Sequence, residues 1–179
     1  QGDELEILGD LRDSRAIPEL ELIVSSYPSV RTRSNAIMAL SLIAQRDKSA
    51  LNSLHKVLKD SNVLMRLDAA VVLARMGASE EALPILEAVA KVKDLDEIKK
   101  DFFEDAYLKS EHIIVELLST GRREEAIRLN PNTVFLSSAT IESWKEQYQN
   151  AKEGIIVAAL QALATIGNRK AFDILTEAS

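Results

Sequence analysis

Along most of the chain, apolar residues recur at separations of three and four, the spacing that lays one buried stripe along an α-helix. In SVRTRSNAIMALSLIA (29–44) the stripe is Ala36, Ile37 and Leu40; in NVLMRLDAAVVLARMG (62–77) it returns as Ala69, Ala70 and Leu73. In KEGIIVAALQALATIG (152–167) it is Ala159, Leu160 and Leu163, and DAYLKSEHIIVELLSTG (105–121) is a looser version. A second apolar segment accompanies these: RAIPEL (15–20), SALNSL (49–54), EALPIL (81–86), EAIRLN (125–130) and KAFDIL (170–175). Their alanines, Ala16, Ala50, Ala82, Ala126 and Ala171, form one column with spacings of 34, 32, 44 and 45 residues. Gly77, Gly121 and Gly167 stand where a helix ends on a left-handed residue. Pro18 and Pro84 fall in the first turn of the following helix, where a missing N–H costs nothing.

The pattern predicts an all-α chain of helix pairs, an A helix followed by a B helix, each pair too thin to bury its own apolar face and therefore stacked on its neighbours. The expected architecture is a right-handed α-solenoid of antiparallel pairs, an α-α superhelix. It is read as one domain over 1–179: a half repeat at 4–26, repeats at 29–60, 62–91, 97–130 and 152–179, and an insertion at 131–151. Residues 4–9 read as the last turns of an A helix, so the chain is expected to be a segment of a longer array.

LGDLRDSRAIPEL (8–20) and DSNVLMRLDAAVVLARMGASEEALPIL (60–86) resemble HEAT repeats, in particular the short kind of the phycobilisome lyases. Asp60, Arg66, the Ala69-Ala70 pair, Gly77 and Ala82-Leu83-Pro84 carry that resemblance. It covers 4–91 and 152–179, is looser at 105–130, where Ser110 replaces the arginine, and is absent at 131–151. It implies an armadillo-like helical scaffold, with B helices lining the concave face. Because this pattern recurs in scaffolds, adaptors and a few enzymes, it speaks to fold more than to function.

Composition narrows the picture. Apolar residues make up 46% of the chain and aromatics only 4%, so the core must be built from Leu, Ile, Val and Ala. A formal charge of -6 argues against a phosphate-binding surface and hence against nucleic acid as a partner. With no cysteine there is no disulfide, thiolate zinc site or cysteine nucleophile. The longest apolar run, IIVAAL (155–160), is far too short to span a bilayer.

Two insertions concentrate the aromatics: Phe102, Phe103, Tyr107, Phe135, Trp144 and Tyr148 are six of the eight. The second insertion begins with an Asn-Pro-Asn turn and is expected to continue as a short helix from about Ser138, which sets Trp144 and Tyr148 one turn apart on a shared face. Two roles remain open for this cluster. The aromatics fill the gap where the insertion breaks regular stacking, or Phe135, Trp144 and Tyr148 anchor a partner.

Catalytic chemistry finds little support. The chain has two histidines, His55 on a B helix and His112 on an A helix, with no nucleophile elbow or phosphate-cradling glycine loop. Neither is followed by Glu, unlike the paired ligands of the HEAT-like di-iron hydroxylases, so no cofactor and no metal are expected. On the B helices Glu21, His55 and Glu87 share one repeat column, an arrangement that serves either as a solvated polar ladder or as a pH- or metal-sensitive group. Asn52, Lys56, Lys59 and Lys91 give the same face mixed charge, which suits a peptide or protein. Arg33 and Arg66 are expected to bond turn carboxylates and carbonyls between pairs. The resulting expectation is a non-enzymatic protein-interaction scaffold using the concave B-helix face and the aromatic insertion, with possible self-association through the open N-terminal edge. A subunit resembling the bilin lyases, or a purely structural segment of a longer solenoid, are the alternatives.

Overall fold

Local signals fix where each helix starts and stops. Ser29, Asn62, Ser137 and Asn168 each turn a side-chain oxygen onto a backbone N–H of the next helix, at 3.3 Å (Thr32), 2.8 Å (Leu64), 3.1 Å (Thr140) and 2.9 Å (Ala171). Pro18 and Pro84 occupy the first turn of theirs. Gly77, at φ 80°, takes the left-handed position beyond an A helix, as do Gly121 and Gly167. Arg12 adopts the same region at φ 51° without glycine's freedom.

The computed structural model describes residues 2–78, 80–92, 114–131, 133 and 137–178, except the side chains at 2–4, 6, 8, 144, 147–149, 151 and 152. The helices are α1 (Gly2–Leu11), α2 (Ile17–Ser26, after a 3-10 turn at Ser14–Ala16), α3 (Val30–Ala44), α4 (Ser49–Val57), α5 (Val63–Arg75) and α6 (Leu83–Ala90). Then come α7 (114–119), α8 (Arg123–Leu129), α9 (Ser138–Ile166) and α10 (Arg169–Ala178). No strand occurs among the described residues. The fold is an all-α solenoid.

The stripes read from the sequence are the core. Ala36, Ile37, Leu40, Ala69, Ala70, Leu73, Ala159 and Leu163 are fully buried, and Leu160 is half-buried. The alanine column is buried at Ala50, Ala82, Ala126 and Ala171, where anything larger would push the helices apart. One continuous apolar cluster runs from Leu5 to Ile174. α1 and α2 pack on α3, α3 on α4 and α5, α5 on α6, and α9 on α5, α6 and α10. The crossing of α1 and α3 is close: a Cβ on Gly9 would lie 2.9 Å from Leu42 Cδ1 and 3.0 Å from the Ala39 Cα.

Two features differ from the sequence reading. The short helix expected from about Ser138 and the A helix at 152–167 are one continuous helix of 29 residues, α9. Between Ser137 and Gly167 the only weak helix former of consequence is Gly154, which is exposed and costs about 1 kcal/mol, too little to interrupt a helix whose far half is packed. The C-terminal half of α9 sits directly on α5 and α6, while Ile114, Leu117 and Ala126 form a small buried cluster of their own.

The turns between pairs are held by arginine, as the sequence suggested. Arg33 is buried; its Nε donates to the Val24 carbonyl at 2.6 Å and its Nη2 to Asp60 at 2.6 Å. Asp60 also accepts from the Asn62 N–H at 2.9 Å, and Arg66 donates to the Asp60 and Ser61 carbonyls at 2.7 and 2.9 Å. One guanidinium thus ties the end of α2 to the turn that launches α5.

Candidate functional site

The B helices α2, α4 and α6 present the polar column Glu21, His55 and Glu87 expected to meet a partner, and α10 extends it. On α4, Ser53 Oγ and Lys56 Nζ both donate to Glu21 Oε1 of α2 at 2.8 Å. These bonds, that of the Lys56 ammonium first, hold the Glu21 carboxyl below its usual range against a small opposing effect of burial. His55 Nδ1 lies 2.8 Å from Glu81 Oε2, in the turn that opens α6. At the C-cap of α6, Lys91 Nζ donates to Glu87 at 2.8 Å and to Glu177 of α10 at 2.5 Å. The Glu177 and Glu87 carboxylates raise Lys91 above its ordinary value, and Lys91 lowers Glu87.

α2 is therefore linked to α4, α4 to the turn that opens α6, and the end of α6 to α10, each by a charged or polar pair. The column Glu21, His55, Glu87 is not a triad. Glu21 takes Lys56, His55 takes Glu81 and Glu87 takes Lys91. Among the described residues no group of three His, Cys, Asp or Glu side chains is arranged to hold a metal ion. Asn52 and Lys59 are exposed beside this ladder. These ion pairs are largely solvated and contribute little to stability. They order the side chains without consuming the face.

Between α2 and α4 the ladder borders a groove of about 400 Å³ whose apolar walls include Leu22, Val24, Leu40 and Val57, with Glu21, Lys56 and Asp60 at its polar edge. Leu22 is 56% exposed. A recess of that size admits one or two side chains of a peptide, with charged groups of both signs beside it for orientation.

The anchor residues proposed from the insertion, Phe135 and the side chains of Trp144 and Tyr148, lie outside the described residues, as does His112. Their positions 144 and 148 belong to α9. An aromatic that sequence reasoning passed over, Phe172, is 67% exposed on α10. It stands within the repeat segment KAFDIL, where an apolar residue reads as core. Glu81 and Glu177 were also missed as members of the ladder, because neither shares the repeat column of its partner. No described helix is long and apolar enough to cross a membrane.

A family model for HEAT repeats matches residues 17–104. The match is to HEAT repeats in general and does not distinguish the short phycobilisome-lyase kind. No curated protein and no solved structure matches the chain.

Proposed function

We propose, from the premise that this chain is a HEAT-repeat protein, that it is a non-enzymatic scaffold whose B-helix face binds a peptide segment of a partner protein. HEAT repeats commonly mediate such contacts. The observation that carries the reading is the groove between α2 and α4, where exposed Leu22 and the Glu21–Lys56 pair put an apolar recess beside oriented charge. Binding would be non-covalent: an apolar side chain of the partner fills the recess, while Lys56, Lys59 and Asn52 supply polar specificity along the rim. Phe135, Trp144 and Tyr148 are proposed as a second anchor on the insertion, and His55, Glu87 and Lys91 as the continuation of the polar face.

The test is a quantitative pull-down from native lysate comparing the unaltered chain with Leu22→Asp/Lys56→Glu and, separately, Trp144→Ala/Tyr148→Ala, each shown by circular dichroism to be folded. Loss of a specific protein from the first variant supports the B-helix site, and loss from the second supports the insertion. Equal retention by all three chains overturns both. A further contact is proposed between two copies of the chain through α1, where Ile7 and Leu11 are 57% and 66% exposed. Sedimentation should show a dimer that Ile7→Ser/Leu11→Ser abolishes; a monomer at every concentration rejects this.

A further inference from the structure

α3 and α5 end side by side, and between their C-terminal turns and the start of α4 lies a groove of about 620 Å³. It is distinct from the B-helix recess. Its floor is apolar and includes Met38, Leu42, Val72 and Met76; Met38 is 47% exposed. Its rim carries Arg46, Lys48 and Arg75, all exposed. Their side chains make no ion pair or hydrogen bond with any described residue, and no carboxylate is among the described residues lining the groove. The nearest acid in sequence, Asp47, is not among the residues lining the groove. It accepts from the Ser49 N–H at 2.9 Å and the Ser49 hydroxyl at 2.6 Å, opening α4.

In a chain with a formal charge of -6, three exposed cations around a groove whose described lining holds no carboxylate form a local reversal of sign. Part of the positive charge answers the negative ends of α3 and α5, each equivalent to about half a charge. Three full charges against two half charges leave an excess of about two. That excess sits on the lip of a recess floored partly by methionine, whose flexible thioether adapts to apolar side chains of different shape.

We propose that this groove is a second docking surface, and that its occupant is an acidic amphipathic segment of a partner protein. Leucine-like side chains enter between Met38, Leu42, Val72 and Met76, and carboxylates meet Arg46, Lys48 and Arg75. Charge complementarity gives the sign of the partner; the apolar floor gives its class. A nucleic-acid backbone would leave that floor empty, and a bilayer surface would not reach into a recess.

The probe is a fluorescein-labelled amphipathic peptide of leucine and glutamate, about three helical turns long, followed by fluorescence anisotropy. The unaltered chain should bind it, more weakly as salt is raised. Arg46→Glu/Arg75→Glu should weaken binding at least tenfold, Arg46→Gln/Arg75→Gln by less, and Met38→Asp should also weaken it. Arg31→Glu/Arg123→Glu, an equal change in net charge away from the groove, should leave it unaltered. The proposal is overturned if the unaltered chain does not bind, if a glutamine-for-glutamate peptide binds as tightly, or if both charge reversals act alike. Binding of phosphatidylserine vesicles, lost with Arg46→Glu/Arg75→Glu while the peptide is ignored, overturns it in favour of a membrane. Because Leu22, Lys56, Trp144 and Tyr148 are untouched, failure here leaves the B-helix site intact, and the converse holds.

Discussion

Replacing Arg33 by Met keeps the aliphatic stem and deletes the guanidinium that joins α2 to the turn before α5. The loss can be sized from the contacts. Asp60 is only 14% exposed as a side chain, and the ion pair it makes with Arg33 is the charge-assisted bond that offsets its desolvation. Breaking a buried pair by removing one partner costs about 3–5 kcal/mol. Asp60 keeps the Asn62 N–H, which places the expected loss toward the lower end, about 3 kcal/mol. The Val24 carbonyl loses its guanidinium donor, which adds to the loss rather than offsetting it. Urea denaturation followed by circular dichroism, on Arg33→Met, Asp60→Asn and the double variant, separates these contributions. Asn at position 60 retains an acceptor for Asn62, so its removal of charge is the main change. The double variant should be more stable than the sum of the single losses predicts, by at least about 1 kcal/mol. If Arg33→Met loses less than about 1 kcal/mol, or the two losses simply add, Arg33 is not the tie between pairs and the reasoning fails.

Asp68 on α5 accepts a hydrogen bond from Ser34 of α3, and burial pushes its carboxyl above the ordinary 3.8 despite that bond. A raised folded value means the stabilising contribution is complete below 3.8 and is lost as pH rises through the folded value. Asp68→Asn should therefore raise the melting temperature at neutral pH and give no gain at pH 3, and an equal effect at both would exclude ionisation as the cause. Gly77→Ala and Gly154→Ala form a matched pair, since an added Cβ meets nothing within 4 Å at either site. At Gly77, with φ 80°, the change should cost about 1 kcal/mol; inside α9 it should stabilise by about the same. Opposite shifts in denaturation midpoint are expected, and shifts of one sign would refute the conformational account. Gly9→Val, which places a branched side chain against Leu42 and Ala39, should cost about 2 kcal/mol in the same assay.

What could be read in the sequence was whatever repeats within a few residues. A stripe such as Ala69, Ala70 and Leu73 is dictated by the helical period, and a cap such as Asn62 by the orphan N–H groups beside it, so both are fixed before any helix meets another. The roles of Arg33 and Arg66 were legible for the same reason, since the same turn recurs and an arginine at its start has carbonyls and Asp60 in reach. Which side chains face one another across the B helices was not. A common repeat column set His55 between Glu21 and Glu87, yet pairing depends on the offset and crossing of stacked helices, and these bring His55 to Glu81 and Lys91 to Glu177. Nor could the sequence seat α9 on α5 and α6, because 45 residues lie between Val92 and Ser138 and local periodicity carries no information about where such a segment returns. The cationic groove is of the same kind. Arg46 and Arg75 belong to successive repeats, and only stacking makes them neighbours over a shared apolar floor.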